Sequence, residues 1–307
     1  MRTLCLGEAL VDLVCEHPVD GLADAEAFVP HSGGAVANAA VVAARCGAAV
    51  ALGGGVGDDA WGEWLEGRMR SEGVDLTWFT RVPGVATPLA FVTVNHAGEP
   101  DFVVYGQTIP KTMQSIEADL EAAVRSCDAL FFGSNTLVGE SERALTLSAR
   151  ELALDAGKPV LFDPNLRLHR WADPRQAIEV VRAACDGALL VKVNRDEAAR
   201  LTGQREPEQA AEALCALGAG TAVITLGTDG ALARGAVHAA VGGFPVHPID
   251  TTGAGDVVAG VLIAALAAKG FDPSAITSAL PVAIEAASRS TEGWGAIDSL
   301  PDMPEPA

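Results

Sequence analysis

Short apolar segments alternate with helical patterns along most of this chain, and this alternation restricts the fold more than any other feature. The strand-like segments are Thr3–Leu6, Ala49–Gly53, Ala129–Phe132, Val160–Asp163, Ala188–Val191 and Thr221–Leu226. The helical patterns are Ala35–Cys46, Ala60–Glu72, Ser115–Ser126, Glu140–Ala156, Pro174–Cys185, Asn194–Thr202 and Pro207–Leu217. Such alternation predicts an α/β fold with a doubly wound, mostly parallel sheet. Ligands of such a sheet bind at the carboxyl ends of its strands.

Two stretches depart from this alternation. Leu10–Ser32 contains short β-prone pieces without a helix, and Thr87–Tyr105 alternates apolar and polar residues like a hairpin, with a turn at Asn95–Gly98. Together they predict a second, small β-sheet that projects from the main body of one domain spanning residues 1–307.

The charge and the residue usage exclude several classes of protein. The formal net charge is −19 with only 21 Lys and Arg, which argues against binding to nucleic acid or an anionic membrane. No apolar run reaches the roughly 18 residues of a membrane span, and no signal peptide is recognisable, so a cytoplasmic location is expected. The six Cys and six His residues show neither C-x-x-C nor H-x-x-x-H spacing, so no zinc site is predicted.

The stretch Ile249–Gly260, which reads Ile-Asp-Thr-Thr-Gly-Ala-Gly-Asp-Val-Val-Ala-Gly, predicts an anion site. Small residues open a long apolar helix there, so the free N–H groups and the helix dipole favour a phosphate. Asp256 would repel that phosphate unless it accepts a proton from the attacking group, and we interpret it as a general base. The alternative is that Asp256 is an ordinary first-turn acid stabilised by the dipole.

Four further polar clusters follow predicted strands or begin predicted helices. Two of them are Ser32–Asn38, with paired glycines before a helix, and Phe162–Arg167, at the end of a central strand. The other two are Asn194–Glu197, which could be only a capping box, and Thr225–Gly230, which could be only a hairpin turn. The sequence has neither a P-loop G-x-x-x-x-G-K-[ST] nor a G-x-G-x-x-G after the first strand, which disfavours P-loop kinases and dinucleotide dehydrogenases.

Asp250–Asp256 followed by an apolar helix closely resembles the signature of the ribokinase-like, or PfkB, family of carbohydrate kinases. The N-terminal glycine patterns at Ser32–Ala40 and Gly55–Gly62 are similar to the family's other signature, so the resemblance covers essentially the whole chain. It implies a ribokinase-like three-layer α/β/α fold with a β-sheet lid formed by residues of about 10–32 and 87–108. It also implies ATP-dependent, Mg²⁺-assisted phosphorylation of a primary hydroxyl of a sugar.

The resemblance assigns roles to individual residues. Asp256 is the implied base, and the amides of Gly253, Ala254 and Gly255 form the implied anion hole. The implied sugar-binding residues are Asp12, Gly33, Gly34, Asn38, Tyr105 and Arg167. The implied ATP-binding residues are Asn194, Glu197, Thr225, Gly227 and Gly230, with Glu197 holding Mg²⁺ through water. A K⁺ ion can bind in this family near Asp250, Thr252, Gly295 and Ser299, and lid-to-lid homodimers are common.

Within the family, Thr87–Val92 and Asp163–Arg167 look most like fructokinases. Many fructokinase-like and ketodeoxygluconate kinase-like members have an Arg after the tyrosine, where this chain has Gly106. The absence of that cation weakens the case for an acidic substrate such as 2-keto-3-deoxygluconate and also bears on fructose, so ribose, another ketose or a nucleoside stay open. A sugar- or nucleotide-binding protein without catalysis is the alternative of another class, and Asp256 with the glycine turn argues against it.

Overall fold

A computed structural model of the chain describes residues 1–300, and residues 301–307 of the predicted domain lie outside the described part. Its strands are β1 (Arg2–Leu6), β2 (Leu10–Val14), β3 (Val29–Gly33), β4 (Ala49–Gly57), β5 (Asp75–Val82), β6 (Leu89–Val94), β7 (Pro100–Tyr105), β8 (Ala129–Gly133), β9 (Val160–Asp163), β10 (Leu190–Asn194), β11 (Thr221–Thr225), β12 (Ala231–Gly235) and β13 (Ala239–Val241). Its helices are α1 (Ala35–Arg45), α2 (Ala60–Ser71), α3 (Ile109–Gln114), α4 (Leu120–Ser126), α5 (Glu140–Asp155), α6 (Pro174–Ala184), α7 (Arg195–Thr202), α8 (Pro207–Ala216), α9 (Ala254–Ala268) and α10 (Ala275–Ser290). Short 3₁₀ turns lie at Leu22–Asp24, Glu117–Asp119, Ser134–Leu137, Leu168–Arg170 and Gly227–Asp229.

The main sheet has nine strands in the order β13-β12-β11-β10-β9-β8-β1-β4-β5. The strands from β5 to β11 in this order pair in parallel, and β12 and β13 add antiparallel strands at one edge. The predicted doubly wound, mostly parallel sheet is therefore confirmed.

Helices cover both faces of this sheet because successive strand residues point to opposite sides. Cys5 on β1 and Leu161 on β9 face a core shared with α1, α2, α9 and α10. Leu4 and Leu6 on β1, with Phe162 on β9, face a second core shared with α3 to α8. The result is the predicted three-layer α/β/α arrangement. Helix α9 is apolar on all sides because it lies between α1 and α10.

A second sheet has four strands in the order β3-β2-β6-β7 and lies within the two stretches that broke the alternation. Strand β2 pairs in parallel with β6, and β3 and β7 pair antiparallel to their neighbours. Asn95 Oδ1 accepts hydrogen bonds from the N–H groups of Ala97 and Glu99, which closes the predicted turn between β6 and β7. Strand β2 follows directly from β1, and β3 leads into α1, so this sheet begins at the carboxyl edge of the main sheet.

Some elements differ from the sequence prediction. In place of one helix over Ser115–Ser126, the chain forms a 3₁₀ turn at Glu117–Asp119 and then α4. The Ser115 hydroxyl, just after α3, lies within hydrogen-bond distance of the carbonyl oxygens of Thr112 and Gly54. Strands β5 and β13 and helices α3 and α10 were not predicted, and β12 was expected only in the alternative that Thr225–Gly230 is a hairpin turn. Among residues 1–300, no helix has the length and apolar character that crossing a membrane requires.

Candidate active site

A cavity of about 250 Å³ lies at the carboxyl ends of the central strands. Asp163 ends β9, Asn194 ends β10 and Thr225 ends β11, and all three line the cavity. The first turn of α9 and residues of β2, β6 and β7 complete its wall. The cavity is thus where an open α/β sheet places its ligands, and the second sheet borders it.

Asp256 lies in this cavity, in the first turn of α9, and is held by two amide side chains. Asn38 Nδ2 donates to Asp256 Oδ2 across 2.9 Å, and Asn165 Nδ2 donates to Oδ1 across 3.2 Å. Burial raises the pKa of Asp256 to about 7, although the Asn38 hydrogen bond lowers it; the Asp163 charge adds to the rise, and Lys192 and Arg167 oppose it. A carboxyl group with such a pKa can take up and release a proton near neutral pH.

The glycine turn before α9 leaves no room for side chains. Gly253 has φ 74°, a conformation that favours glycine, and a Cβ atom there would overlap Ala296. A Cβ atom on Gly255 would lie 2.8 Å from Lys192 Nζ. Within the described residues, the N–H groups of Gly253 and Gly255 make no hydrogen bond, whereas that of Ala254 lies 3.4 Å from the Thr251 carbonyl. The turn therefore presents free backbone donors beside Asp256, mainly those of the two glycines.

A buried ion pair lies against this turn. Lys192 Nζ contacts Asp163 Oδ2 at 2.9 Å, and the two side chains are 6% and 4% exposed. Burial lowers the pKa of Lys192, but Asp163 and Glu197 outweigh it and the net shift is upward, so the ammonium stays charged. The pair brings a positive charge next to Gly255.

The residues predicted to bind sugar lie on the side of the cavity formed by β2 and α1. Asp12, Gly34, Asn38 and Arg167 line the cavity. Gly33 lies directly behind Asp12, because a Cβ atom there would overlap the Asp12 carboxylate. Burial, with the nearby Asp256 charge, raises the pKa of Asp12 to about 7. The Arg167 guanidinium lies over the Phe102 ring, 5.4 Å from its centre.

Tyr105 does not reach the cavity. Residues of β7 alternate between two faces, and Pro100, Phe102 and Val104 line the cavity. Tyr105 points to the opposite face, is 49% exposed, and packs edge-on against Phe91. The sequence placed Tyr105 in the correct strand but could not determine its face, and its assignment to the sugar stays a prediction that this orientation does not support.

A second cavity of about 430 Å³ adjoins the first and shares Thr225, Thr251 and Gly255 with it. Gly227 and Gly230, in the 3₁₀ turn between β11 and β12, also line it. Its remaining wall is mostly apolar and includes Phe244, Pro245, Val246, Val258 and Ile284. The hairpin predicted as an alternative is thus present, and its turn also borders a cavity next to the anion site.

Asn194 and Glu197 form the capping box that the sequence offered as an alternative. Asn194 Oδ1 accepts from the Glu197 N–H, and Glu197 Oε2 accepts from the Asn194 N–H. Glu197 Oε1 accepts from the Leu166 N–H across 2.7 Å, so this buried carboxylate also fixes the Asp163–Arg167 segment. Burial, with the charge of Asp163, raises the pKa of Glu197.

The donor set fits a water-bound metal ion better than a protein cage. Among the described residues, no group of three or more His, Cys, Asp or Glu side chains is arranged to hold a metal. Glu197 and Asp163 nevertheless both line the cavity, and Mg²⁺ is commonly held by one or two carboxylates, water and substrate phosphates.

The residues considered for K⁺ lie together behind the glycine turn. The buried Asp250 carboxylate accepts from the N–H groups of Thr252, at 2.8 Å, and Gly295, at 3.0 Å. The Ser299 hydroxyl oxygen lies 2.6 Å from the Ser290 carbonyl oxygen and 3.0 Å from that of Gly295, so its one hydrogen can be donated to either and closes the loop from Ser290 to Ser299. The Thr252 hydroxyl oxygen is buried and has no partner among the described residues, which suits a cation ligand.

The family model described as "pfkB family carbohydrate kinase" matches residues 2–303 of the chain. The chain belongs to the PfkB family. This PfkB protein is therefore an ATP-dependent carbohydrate kinase, and the expected resemblance is confirmed.

Relatives of this PfkB kinase include fructokinases. It is 32% identical over 305 residues to Fructokinase-2 of Solanum lycopersicum, covering 97% of this chain and 93% of the relative. Its fold matches that of a Vibrio cholerae O395 fructokinase bound to fructose, ADP and a potassium ion, with a TM-score of 0.85, 29% identity, and coverage of 98% and 95%. It also matches an aminoimidazole riboside kinase of Salmonella enterica complexed with aminoimidazole riboside and an ATP analog, with a TM-score of 0.79, 26% identity, and coverage of 98% and 97%.

The structure adds residues of this PfkB kinase that the sequence reasoning did not select. Asn165 was noticed only as part of the Asp163–Arg167 segment, and Lys192 is a lone charge in an apolar strand, which was the available signal. Three more cavity residues, Glu8, Asn135 and Arg170, come from separate strand ends and turns. Their proximity depends on the strand order, which the sequence pattern does not give.

Proposed function

We propose that this PfkB kinase transfers the terminal phosphoryl group of ATP to a primary hydroxyl of a small neutral sugar, and that fructose is its substrate. The observation that carries the proposal is the position of Asp256. Its carboxylate is held between Asn38 and Asn165, beside the free N–H groups of Gly253 and Gly255. A base next to an anion site is the arrangement that phosphorylation of an alcohol requires.

In this proposal Asp256 accepts the proton of the attacking hydroxyl. Asn38 and Asn165 fix the orientation of its carboxylate, so the base needs little rearrangement. The backbone N–H groups of Gly253 and Gly255 donate to the negative charge on the transferred group, with a weaker contribution from Ala254. Lys192 adds a positive charge close to Gly255.

The nucleotide is proposed to lie across the two cavities. The apolar second cavity suits a planar base, and Thr225, Gly227 and Gly230 would border it. Asn194 and Glu197 lie where the phosphates would extend towards Asp256. Bound Mg²⁺ would neutralise phosphate charge, and Glu197 is the residue proposed to hold its water shell.

The sugar is proposed to lie between α1 and the second sheet. Asp12 can accept hydrogen bonds from sugar hydroxyls, and Arg167 and Asn38 can donate to them. Strands β2, β6 and β7 would act as the lid, because Leu10, Ala90, Phe102 and Val104 cover this side of the cavity. Lid-to-lid dimerisation stays a prediction that a measurement of solution mass can test.

Two other substrate types have specific support. Arg167 and Arg170 both line the cavity, which favours an acid such as 2-keto-3-deoxygluconate as the second candidate. The structural similarity to an aminoimidazole riboside kinase supports a riboside as a further substrate for comparison.

A binding protein without catalysis is disfavoured, because a binder gains nothing from a carboxylate with a pKa of about 7 beside an anion site.

The test is a kinase assay with ATP and Mg²⁺ on fructose, ribose, 2-keto-3-deoxygluconate and adenosine. We expect the largest kcat/KM with fructose. A preference for the acid, or for adenosine, would contradict the substrate, and the absence of phosphorylation of all four would contradict the proposed reaction.

A further inference from the structure

The guanidinium of Arg170 lies beside Gly106, the position at which many fructokinase-like members have an arginine. A Cβ atom on Gly106 would lie 3.3 Å from Arg170 Nη2 and 2.8 Å from Ile109 Cδ1. A side chain at position 106 would therefore compete with Arg170 for the same space. A glycine at position 106 therefore does not leave this region without a positive charge, because Arg170, in the turn before Trp171, supplies one.

Arg170 is held in place by Asn135. Arg170 Nη1 donates to Asn135 Oδ1 across 3.0 Å and lies 3.4 Å from the Asn135 carbonyl oxygen. Both residues line the cavity. Because these contacts engage only Nη1, other N–H groups of the guanidinium make no hydrogen bond within the described residues.

Glu8 accepts a hydrogen bond from Asn135 and so forms the other end of a Glu8–Asn135–Arg170 group. Its side chain is almost fully buried, at 1% exposure, and Asn135 Nδ2 donates to its Oε1 across 2.9 Å. The second oxygen, Oε2, is buried and has no partner among the described residues. Burial raises the pKa of Glu8, and the Asn135 hydrogen bond, the nearby backbone N–H groups of Glu8 and Ala35 and the Arg170 charge oppose that rise. None of these groups makes a hydrogen bond of normal geometry to Oε2.

We propose that Glu8 and Arg170, connected by Asn135, bind a hydroxyl group at the end of the sugar away from the reacting hydroxyl. A hydroxyl can donate to Glu8 Oε2 and accept from Arg170 at the same time, so it satisfies both groups. Leaving a buried carboxylate oxygen without a partner is costly, and the ligand hydroxyl would remove that cost. This inference rests on the proposed function, since it specifies how the same site selects a neutral sugar.

A carboxylate would fit this group poorly. It could accept from Arg170, but it has no hydrogen to donate to Glu8 Oε2, and beside an ionised Glu8 it would add a second negative charge. The Glu8–Asn135–Arg170 group therefore favours a neutral polyhydroxy compound over a sugar acid, although Arg170 by itself would favour the acid. The choice of substrate therefore depends on Glu8 and Arg170 together and not on the Arg170 cation alone.

The experiment compares wild type, Arg170→Leu, Glu8→Gln and the exchange variant Gly106→Arg/Arg170→Leu. For each, kcat and KM are measured with fructose, 2-keto-3-deoxygluconate and ATP, and the Kd for fructose is measured by calorimetry without nucleotide. Arg125→Leu, which removes an exposed surface cation, is the control and should behave as wild type.

We expect Arg170→Leu to raise the KM and Kd for fructose about 10- to 100-fold, the usual effect of losing a hydrogen bond to a charged group, with the KM for ATP within about twofold of wild type. Glu8→Gln should shift the kcat/KM ratio about tenfold or more towards the acid. The exchange variant should recover part of the lost fructose affinity, because an arginine at position 106 reaches the same space.

A fructose KM and Kd unchanged in Arg170→Leu would overturn the inference while leaving the proposed function intact. If Arg170→Leu does not fold, Arg170→Lys decides instead, with an expected rise of about fivefold or more in KM for fructose. A wild type that binds fructose without phosphorylating it would contradict the proposed function alone. A wild type that prefers the acid, or that neither binds nor phosphorylates a neutral sugar, would contradict both.

Discussion

Asn38 donates a hydrogen bond to Asp256 across 2.9 Å, and both side chains are buried. The two residues come from the helices that follow the two family signatures, α1 and α9, which pack against each other. The contact therefore joins α1, on the side of the cavity where the sugar is proposed to lie, to the glycine turn before α9.

The pH dependence of catalysis should reflect Asp256. Because burial raises its pKa to about 7 and a general base must be deprotonated, kcat/KM should fall as the pH decreases below about 7. The pKa of Asp12 is raised to about 7 as well, so Asp12→Asn is the necessary comparison. We expect its remaining activity to keep the acidic limb. A wild-type profile flat down to pH 5 would contradict the assignment.

The glycine turn can be tested with a matched pair of substitutions. Gly253 and Gly157 have similar φ values, 74° and 66°, but a Cβ atom overlaps Ala296 at Gly253 and meets nothing within 4 Å at Gly157. Gly157→Ala should cost only the backbone strain of about 1 to 2 kcal/mol and keep normal turnover. Gly253→Ala should cost more stability and also reduce kcat, because the turn must move. If Gly253→Ala and Gly157→Ala lose the same amount of unfolding free energy and the same fraction of kcat, the result would count against a tightly packed anion turn.

The buried pair of Lys192 and Asp163 should show strong coupling. Lys192→Met leaves the Asp163 charge without its partner and should reduce the free energy of unfolding by about 3 to 5 kcal/mol. Adding Asp163→Asn removes that stranded charge and should restore part of the loss. Urea unfolding of the two single variants and the double variant forms a complete cycle. Strictly additive losses would show that the two charges do not depend on each other.

A monovalent cation should bind near Asp250 and set the glycine turn in place. The Thr252 hydroxyl, which has no partner among the described residues, and the two loops joined by Asp250 support this proposal. Replacing K⁺ with tetramethylammonium should weaken ATP affinity by roughly 5- to 150-fold, the usual range of coupling between sites. Asp250→Asn should remove most of this response. Kinetics that are equal in both salts would exclude the site.

The sequence predicted the layers of the fold and most of the cavity because both depend on local patterns. Apolar runs marked the buried strands, and polar residues at their ends, such as Asp163 and Asn194, marked the cavity. Strand β5 has one buried residue, Phe79, among partly and fully exposed ones, and β13 has only three residues, so neither has the continuous apolar run of a buried strand.

Other features depend on geometry that local patterns do not contain. The face on which Tyr105 lies could not be predicted, because strand alternation does not tell which face meets the cavity. Arg170 was missed because its contact with Gly106 links the residues of two distant turns. Lys192 was missed because a lone lysine in a strand becomes informative only when its partner Asp163 is seen beside it.

The central claim is that Asp256 is the general base, and the most direct measurement is the kcat of Asp256→Asn with fructose and ATP. Asparagine keeps the size of the side chain but cannot accept the proton, so kcat should fall roughly 10²- to 10⁴-fold, about 3 to 5 kcal/mol of barrier. The folded carboxyl has a raised pKa, so its ionised form opposes folding as the pH rises from about 4 to 7. The variant should therefore melt no lower than wild type at pH 8.

Glu140→Gln removes an exposed acid from the first turn of α5 and should leave kcat unchanged, which controls for loss of a helix-dipole interaction. A large fall in kcat for Asp256→Asn, with an unchanged or raised melting temperature at pH 8 and similar affinities for fructose and ATP, is the predicted result. A near-normal kcat together with a lowered melting temperature would show that Asp256 is only a helix-terminal acid and would contradict the account.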